Sequence, residues 1–381
     1  MVILKEGLLT DMFALSQSAT TRIASVEGKL TRWPKTGFIV FVVVVALALT
    51  LFFFSPCWWL FREAAPESFQ WSRGLGYLSQ CEHPLRTDIE PALRWRLLPP
   101  GIAHALGLHE TQCLAIPWVG VVALLTGCAI WGETWLGSRV SALAFTIIIA
   151  TTSAVLVPIC WIGMNDSWAW LGLLAVCLGR TRWVLPLACL LCPWIDERFM
   201  IGLPLALLCR QQILAGDFRL KKEFTGLVSL LPYLIVRTIA TLTTHDTASG
   251  DFLHSILVSS ATWLPLAPMG WWMALRASWF LVAASCVCAI KSRHGWRWAI
   301  ITLGTLGIGA ILATDLSRTA AMMIPLIAAG AITLKRTQPE TASFVLILIA
   351  AANLILPAAH VVYTHVNLIY PLPIELYRLL R

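Results

Sequence analysis

Carboxylates and arginines gather at four places in a chain that is otherwise apolar. The first is YLSQCEHPLRTDIEPALRWRLLPPGIAHALGL, residues 77 to 108, where Asp88 and Glu90 stand among Arg86, Arg94 and Arg96. The second is Asn165-Asp166-Ser167, and the third is Asp196-Glu197-Arg198 within CPWIDERFMIGLP. The fourth is Asp315 with Arg318 one helical turn on. A carboxylate can take the proton from an attacking hydroxyl. An arginine fork grips phosphate or carboxylate through two parallel bonds. Together these types suit general-base attack by a hydroxyl beside an anionic group. A structural reading competes at each position. Asp and Asn are favoured helix caps, and acids suit the positive end of a helix. Asp315 and Arg318 are spaced to pair on one helix face, and the first-loop arginines could simply touch lipid phosphates. Charge near hydrocarbon is costly, however, and is usually retained for use.

The elements that must position these groups are membrane helices. Of 381 residues, 58% are hydrophobic and 13% charged, against about 25% charged in ordinary soluble domains. Apolar runs of roughly 20 residues can cross ~30 Å of hydrocarbon. The expected fold class is an all-α polytopic membrane bundle of about eleven crossings: 38–60, 113–131, 140–160, 167–179, 183–195, 198–214, 224–243, 270–290, 297–314, 318–334 and 342–358. The segments 167–179 and 183–195 are short, since thirteen residues rise only ~20 Å. Residues 252 to 268 read as a half-buried loop or short helix. Three parts follow: a cytoplasmic segment 1–37, a transmembrane domain 38–358 whose first outer loop is 61–112, and an interfacial tail 359–381. The polar first 37 residues, with a long apolar run after them, predict an anchor rather than a cleaved leader.

Basic residues set the expected orientation. With the N-terminus in the cytoplasm, every lysine (5, 29, 35, 221, 222, 291 and 335) falls inside, and every outer basic residue is an arginine. All four acidic positions then face the outside. The net charge of +8 reports topology and lipid headgroups, not nucleic acid. Most of the 11 cysteines sit in apolar stretches as small hydrophobes. Cys57, Cys81 and Cys160 are placed on the oxidising side, where one disulfide could form. The outer histidines, His83, His104, His245 and His254, have no ligand spacing. Arg237 and Arg276 interrupt apolar runs, where one is expected to snorkel and the other to pair with a loop carboxylate. Pro99-Pro100 is expected to end a surface-lying helix ALRWRLL. Tyr363, Tyr370 and Tyr377 recur every seven residues, which suggests a tail on the outer surface.

A cytoplasmic N-terminus, one helix, a large outer loop with acids and surface-lying helices, then many apolar helices: this layout resembles the GT-C superfamily of integral membrane glycosyltransferases. The phrases RWRLLPPGIAHALGL, GMNDSWAWLGLL, WIDERFMIGLPLALLCR and DLSRTAAMMIPL resemble those of large bacterial families of that type. The resemblance spans roughly residues 38 to 335. Several such families place an acidic pair directly after the first helix, whereas here Asp88 and Glu90 lie further along and are separated by Ile89. The resemblance implies a bacterial inner (plasma) membrane enzyme that takes a sugar from a polyprenyl-phosphate carrier outside the cytoplasm. It implies Asp88, with Glu90 second, as the base. Arg94, Arg96, Arg198 and Arg318 would face the donor phosphate, with Asp166 and Asp196 orienting arginines or sugar hydroxyls and Arg86, Glu197 and Asp315 also in the substrate-binding set. A divalent metal is compatible with this chemistry and not required by it. The rival classes are a transporter or flippase for a lipid or anionic solute, and a non-catalytic envelope scaffold. A transporter would carry polar groups through the bilayer on broken helices.

Overall fold

The computed structural model describes residues 21–56, 69–86, 94–161, 163–214, 226–243, 258, 260–290, 295–312 and 315–381. Helices occupy every apolar segment named above. Four helical runs are long and apolar enough to cross a membrane: Lys35–Phe53, Glu110–Leu136, Ser260–Ile290 and Leu316–Thr337. Arg139–Ala150 and Ser153–Cys160 make a fifth if they count as one span bent by 53°. Asp166–Leu178, Val184–Trp194, Val228–Ile239 and Ala342–Ile355 are apolar but shorter.

The centre of the bundle is the Asp166–Leu178 helix. It packs on Ala115–Leu136, Arg198–Leu214 and Ile324–Thr337, and both Trp170 and Leu173 are fully buried. Small residues let helix backbones approach where lipid offers no hydrophobic drive for association. Gly330 shows this most sharply, because a β-carbon there would lie 2.0 Å from the carbonyl oxygen of Leu281 on the Trp279–Ile290 helix.

Polar side chains tie down helix ends away from the acidic positions. Glu27, in the helical segment 21–30, accepts from Ser138 Oγ at 2.7 Å and from the backbone N–H groups of Arg139 at 2.8 Å and Val140 at 2.9 Å. These are the otherwise unpaired donors that open the Arg139–Ala150 helix. Arg210 donates to the carbonyls of Val176, at 3.0 Å, and Gly179, which close the Asp166–Leu178 helix.

Four local expectations change. Pro99 and Pro100 open the Leu98–Ala105 helix instead of ending one, because a proline in the first turn forfeits no hydrogen bond. Residues 260–266 join a 31-residue helical run, in which the buried Trp263 donates to the Ala310 carbonyl at 3.1 Å. The last apolar helix stops at Ile355 before Pro357. Residues 358–362 are then a fully buried strand, paired antiparallel with His365–Ile369 in register Val362↔His365. The β-branched run VVYTHVNLI favours that pairing, and Tyr363 takes φ +50° in the two-residue turn. The tail is therefore partly interior, although Tyr363 and Tyr377 remain exposed. Cys81 and Cys160 are buried, Cys160 Sγ donating to the Ser55 carbonyl at 3.5 Å, and Cys57 lies outside the described residues.

Replacing Gly330 with Ala should destabilise the detergent-purified protein by about 1–3 kcal/mol, because the atom met is backbone and cannot rotate away. Gly304, where an added β-carbon would have nothing within 4 Å, is the control, and Gly304→Ala should match or exceed the wild-type melting temperature. Equal melting temperatures for the two variants would count against this helix contact.

Candidate functional site: a buried aspartate–arginine cluster

Three helices start at one place. Asp166 is the first residue of Asp166–Leu178, Arg198 the first of Arg198–Leu214, and Asp315 the residue before Leu316–Ala320. Helix starts carry partial positive charge, so acids there are electrostatically apt. The geometry shows more than capping. Neither Asn165 nor Asp315, at the N-cap positions, makes a side-chain cap bond. Asp196 does cap, accepting from the Arg198 backbone N–H at 3.0 Å.

The acids are bound instead by arginine forks. Arg318 grips Asp166 edge-on, with Nε donating to Oδ2 and Nη2 donating to Oδ1 at 2.8 Å. Arg198 grips Asp196 through the same edge, Nε to Oδ1 at 2.7 Å and Nη2 to Oδ2 at 2.5 Å. Arg198 Nη2 also reaches Asp166 Oδ1 at 2.5 Å. Arg318 Nη1 donates to Asp315 Oδ2 at 3.2 Å. Arg96 closes the ring from the first loop, 3.2 Å from Asp196 and 3.9 Å from Glu197. Three guanidinium groups thus face four carboxylates, and Asp166, Asp196 and Arg318 are each no more than 2% exposed.

The hairpin completes the cluster. His360 Nδ1 lies 3.5 Å from Asp315 Oδ1 and 3.0 Å from Ser317 Oγ, and its ring rests 4.5 Å from that of Trp161. Ser317 Oγ accepts from the Val361 N–H at 3.0 Å. Ser317 and Asp315 both meet the first hairpin strand, the latter through a bridge to Val362. The contacts of the serine and the aspartate both fall on one imidazole nitrogen, Nδ1.

A small hollow opens beside the ring, lined by Tyr77, Gln80, Arg96, Asn165, Asp166, Asp196 and Arg318, with Gly163, Met164 and Ile195. Gly163 adopts φ +75°, and a β-carbon there would meet Tyr77 at 2.8 Å, so glycine is needed on both counts. Burial pushes the Tyr77 hydroxyl pKa up, and that hydroxyl donates to the Cys113 carbonyl at 3.1 Å. Asn165 Oδ1 and Arg96 Nε are buried without a hydrogen-bond partner among the described residues. Both residues belong to the lining of the hollow. Burial alone would raise the Asp196 carboxyl, but Arg198, Arg96 and Arg318 outweigh it and hold the group well below the usual carboxylate range.

Of the residues singled out in the sequence, Arg96, Asp166, Asp196, Arg198, Asp315 and Arg318 come together, with Glu197 half-buried at the edge. Asp88 and Glu90 lie outside the described residues. Arg86 donates to Ser79 Oγ, and neither it nor Arg94 lines the hollow. Sequence reasoning misses Tyr77, Gln80 and His360. His360 alone gives a signal, a lone polar letter within PAAHVV. Among the described residues no group of three or more His, Cys, Asp or Glu is arranged to hold a metal. The chain matches no protein-family model, no curated protein and no solved structure.

Two outcomes follow from this geometry. Arg318→Ala leaves Asp166 buried with two of its three arginine hydrogen bonds gone, and should cost about 3–5 kcal/mol, read as a large fall in melting temperature. Asp196 titrates lower when folded than when unfolded, so its stabilisation is complete above about pH 5 and is lost progressively as pH falls through the unfolded value of ~4 and below it. Wild-type melting temperature should drop over that window. Asp196→Asn should start lower and drop less. Parallel acid profiles would refute the assignment.

Proposed function

We propose that this protein is a membrane-embedded glycosyltransferase that moves a sugar from a polyprenyl-phosphate donor to an acceptor hydroxyl on the extracytoplasmic side. The observation that carries this reading is one hollow bordered by buried ionised groups, Asp196, Asp166, Arg318 and Arg96, at the helix starts. That is the chemistry the first loop and the three later motifs suggest together. In the reaction, a carboxylate takes the acceptor proton and the acceptor oxygen bonds to the anomeric carbon. The bond from that carbon to the phosphate oxygen breaks, configuration inverts, and polyprenyl phosphate leaves with the electron pair.

Asp88 is the proposed base, with Glu90 second. Asp196 is a poor base, because its arginine partners hold it ionised at low pH. Its role, with Asp166, is to aim the arginines. Arg96 is the proposed contact to the leaving phosphate, since its Nε lacks a partner among the described residues and fixed donors at growing charge lower the barrier. The topology proposed with this reading is about eleven crossings, a cytoplasmic N-terminus and an extracytoplasmic tail, in a bacterial inner membrane.

A second reading, transport of a lipid or anionic solute, draws on one feature. The Arg139–Ala150 and Ser153–Cys160 helices break at Thr151-Thr152, both fully buried, and broken helices mark many transporters. The side chains at the break satisfy themselves locally, Thr151 Oγ1 donating to Ile147 at 2.9 Å and Thr152 Oγ1 to Ile149 at 2.8 Å. They leave little for a solute to bind.

The test uses the full chain in nanodiscs with polyprenyl-phosphate sugars and acceptor lipids. Transfer should occur with inversion, and Asp88→Ala should lower its rate by about 10²–10⁴-fold while donor binding persists. Unchanged rates in the Asp88→Ala, Glu90→Ala double variant would remove the assigned base. Donor translocation without sugar transfer would favour the second reading.

A further inference from the structure

Arg276 is a fully buried arginine in the interior of the Ser260–Ile290 run. It breaks that run, with a non-glycine φ of +48° between the Ala267–Leu275 and Trp279–Ile290 helices. Such backbone costs of order 1–3 kcal/mol and persists where surroundings enforce it. Asn353 supports the break, accepting from the Ala277 N–H at 2.8 Å and donating to Ser278 Oγ at 2.7 Å. The backbone is thus held so that the guanidinium points inward, against the Phe54 ring at 4.6 Å.

That guanidinium neither snorkels nor meets a carboxylate among the described residues. Nη1 donates to the Leu356 carbonyl at 3.2 Å, while Nε and Nη2 are buried with no hydrogen-bond partner among the described residues. Those two nitrogens share one edge of the group, where their N–H bonds run parallel and match two oxygens of one oxyanion. The same edge is filled elsewhere in this protein: Arg318 presents it to Asp166, and Arg198 presents it to Asp196. Arg276 presents it to none of the described residues. An arginine stays charged, and leaving one unpaired in an apolar interior costs several kcal/mol.

We propose that the Nε–Nη2 edge of Arg276 is a docking site for a phosphate group supplied from outside the chain, at the seam between Phe54 and Leu356. Phosphate is favoured over a free carboxylate because the site sits in a membrane-spanning run, where phosphate is the oxyanion that lipids bring. Ile355, next to the carbonyl that Arg276 binds, is 78% exposed, so the seam borders the surface facing lipid. The site is separate from the aspartate–arginine ring and does not depend on the proposed transferase activity.

The test measures melting temperature of the full chain in dodecyl maltoside micelles, which carry no phosphate. Phosphatidylglycerol or inorganic phosphate is titrated in. Wild type should rise by roughly 2 °C or more with at least one of them. A rise with the lipid alone identifies a headgroup, and a rise with inorganic phosphate alone identifies a free anion. Arg276→Met should be at least as stable as wild type without phosphate, because it removes an unpaired charge at similar volume, and should lose the rise. Arg276→Lys keeps the charge but lacks the fork, and should lose at least half the rise; it gives the reading if the methionine variant does not fold. No rise in wild type, a rise that survives in the variants, or a methionine variant less stable than wild type without phosphate overturns the proposal.

Discussion

Arg318 and Asp166 stand 152 residues apart in the chain, and their edge-on contact is the constraint on which the charged end of the bundle rests. An isolated ion in such an interior is heavily penalised, and attraction to a partner offsets this only with good geometry and full hydrogen bonding. The chain approaches these conditions by setting carboxylates against each guanidinium and by using parallel forks twice. Charge matching then dictates placement. The starts of three helices must converge, because each supplies or adjoins a charged member. The turn at Asp196 must fold back so that its carboxylate serves both Arg198 and Arg96. The hairpin after Pro357 must reach the same spot, because His360 and Val361 complete the shell around Asp315 and Ser317. The cluster specifies the packing more than it stabilises it. Its members are costly to leave unmatched, so few alternative arrangements of these helices are open.

Much of this was legible in the sequence for one physical reason. A charge in an apolar chain is expensive wherever it falls, so Asp166, Asp196, Arg198, Asp315 and Arg318 stood out without any knowledge of the fold. The partner of each was not legible. Asp315 with Arg318 follows from helical spacing, but the pairing of Arg318 with Asp166 comes only from how three helices pack. Capping was a fair alternative for all the acids, and the structure keeps it for Asp196 alone. The hairpin was hidden because strand preference over nine residues competes with a tyrosine period that suits a surface helix equally well. The paired prolines misled in the other direction, since proline both ends helices and starts them.

Buried arginines are handled in three ways, and the differences bear on what each can do. Arg210 donates through Nη1 to carbonyls at the end of the Asp166–Leu178 helix, an architectural use. Arg198 and Arg318 turn their Nε–Nη2 edges to carboxylates, which fixes their direction and occupies that edge. Arg276 is held by one carbonyl and a ring, with its better edge unused among the described residues.

That ordering decides how the hollow could stabilise growing negative charge. A phosphate arriving beside Asp196 meets no excess of positive charge, because every guanidinium there already faces a carboxylate. Extra positive potential must come from a group whose present pairing is weak. Arg96 fits that description: its contact to Glu197 is 3.9 Å long, its Nε has no partner among the described residues, and its side chain is 16% exposed against 2% for Arg318. Turning Arg96 toward an incoming anion would forfeit one 3.2 Å contact to Asp196, which keeps its fork from Arg198. The same movement by Arg318 would forfeit both of its bonds to Asp166 and its 3.2 Å contact to Asp315. The ring can therefore lend out its first-loop arginine at small cost, and it can lend no other.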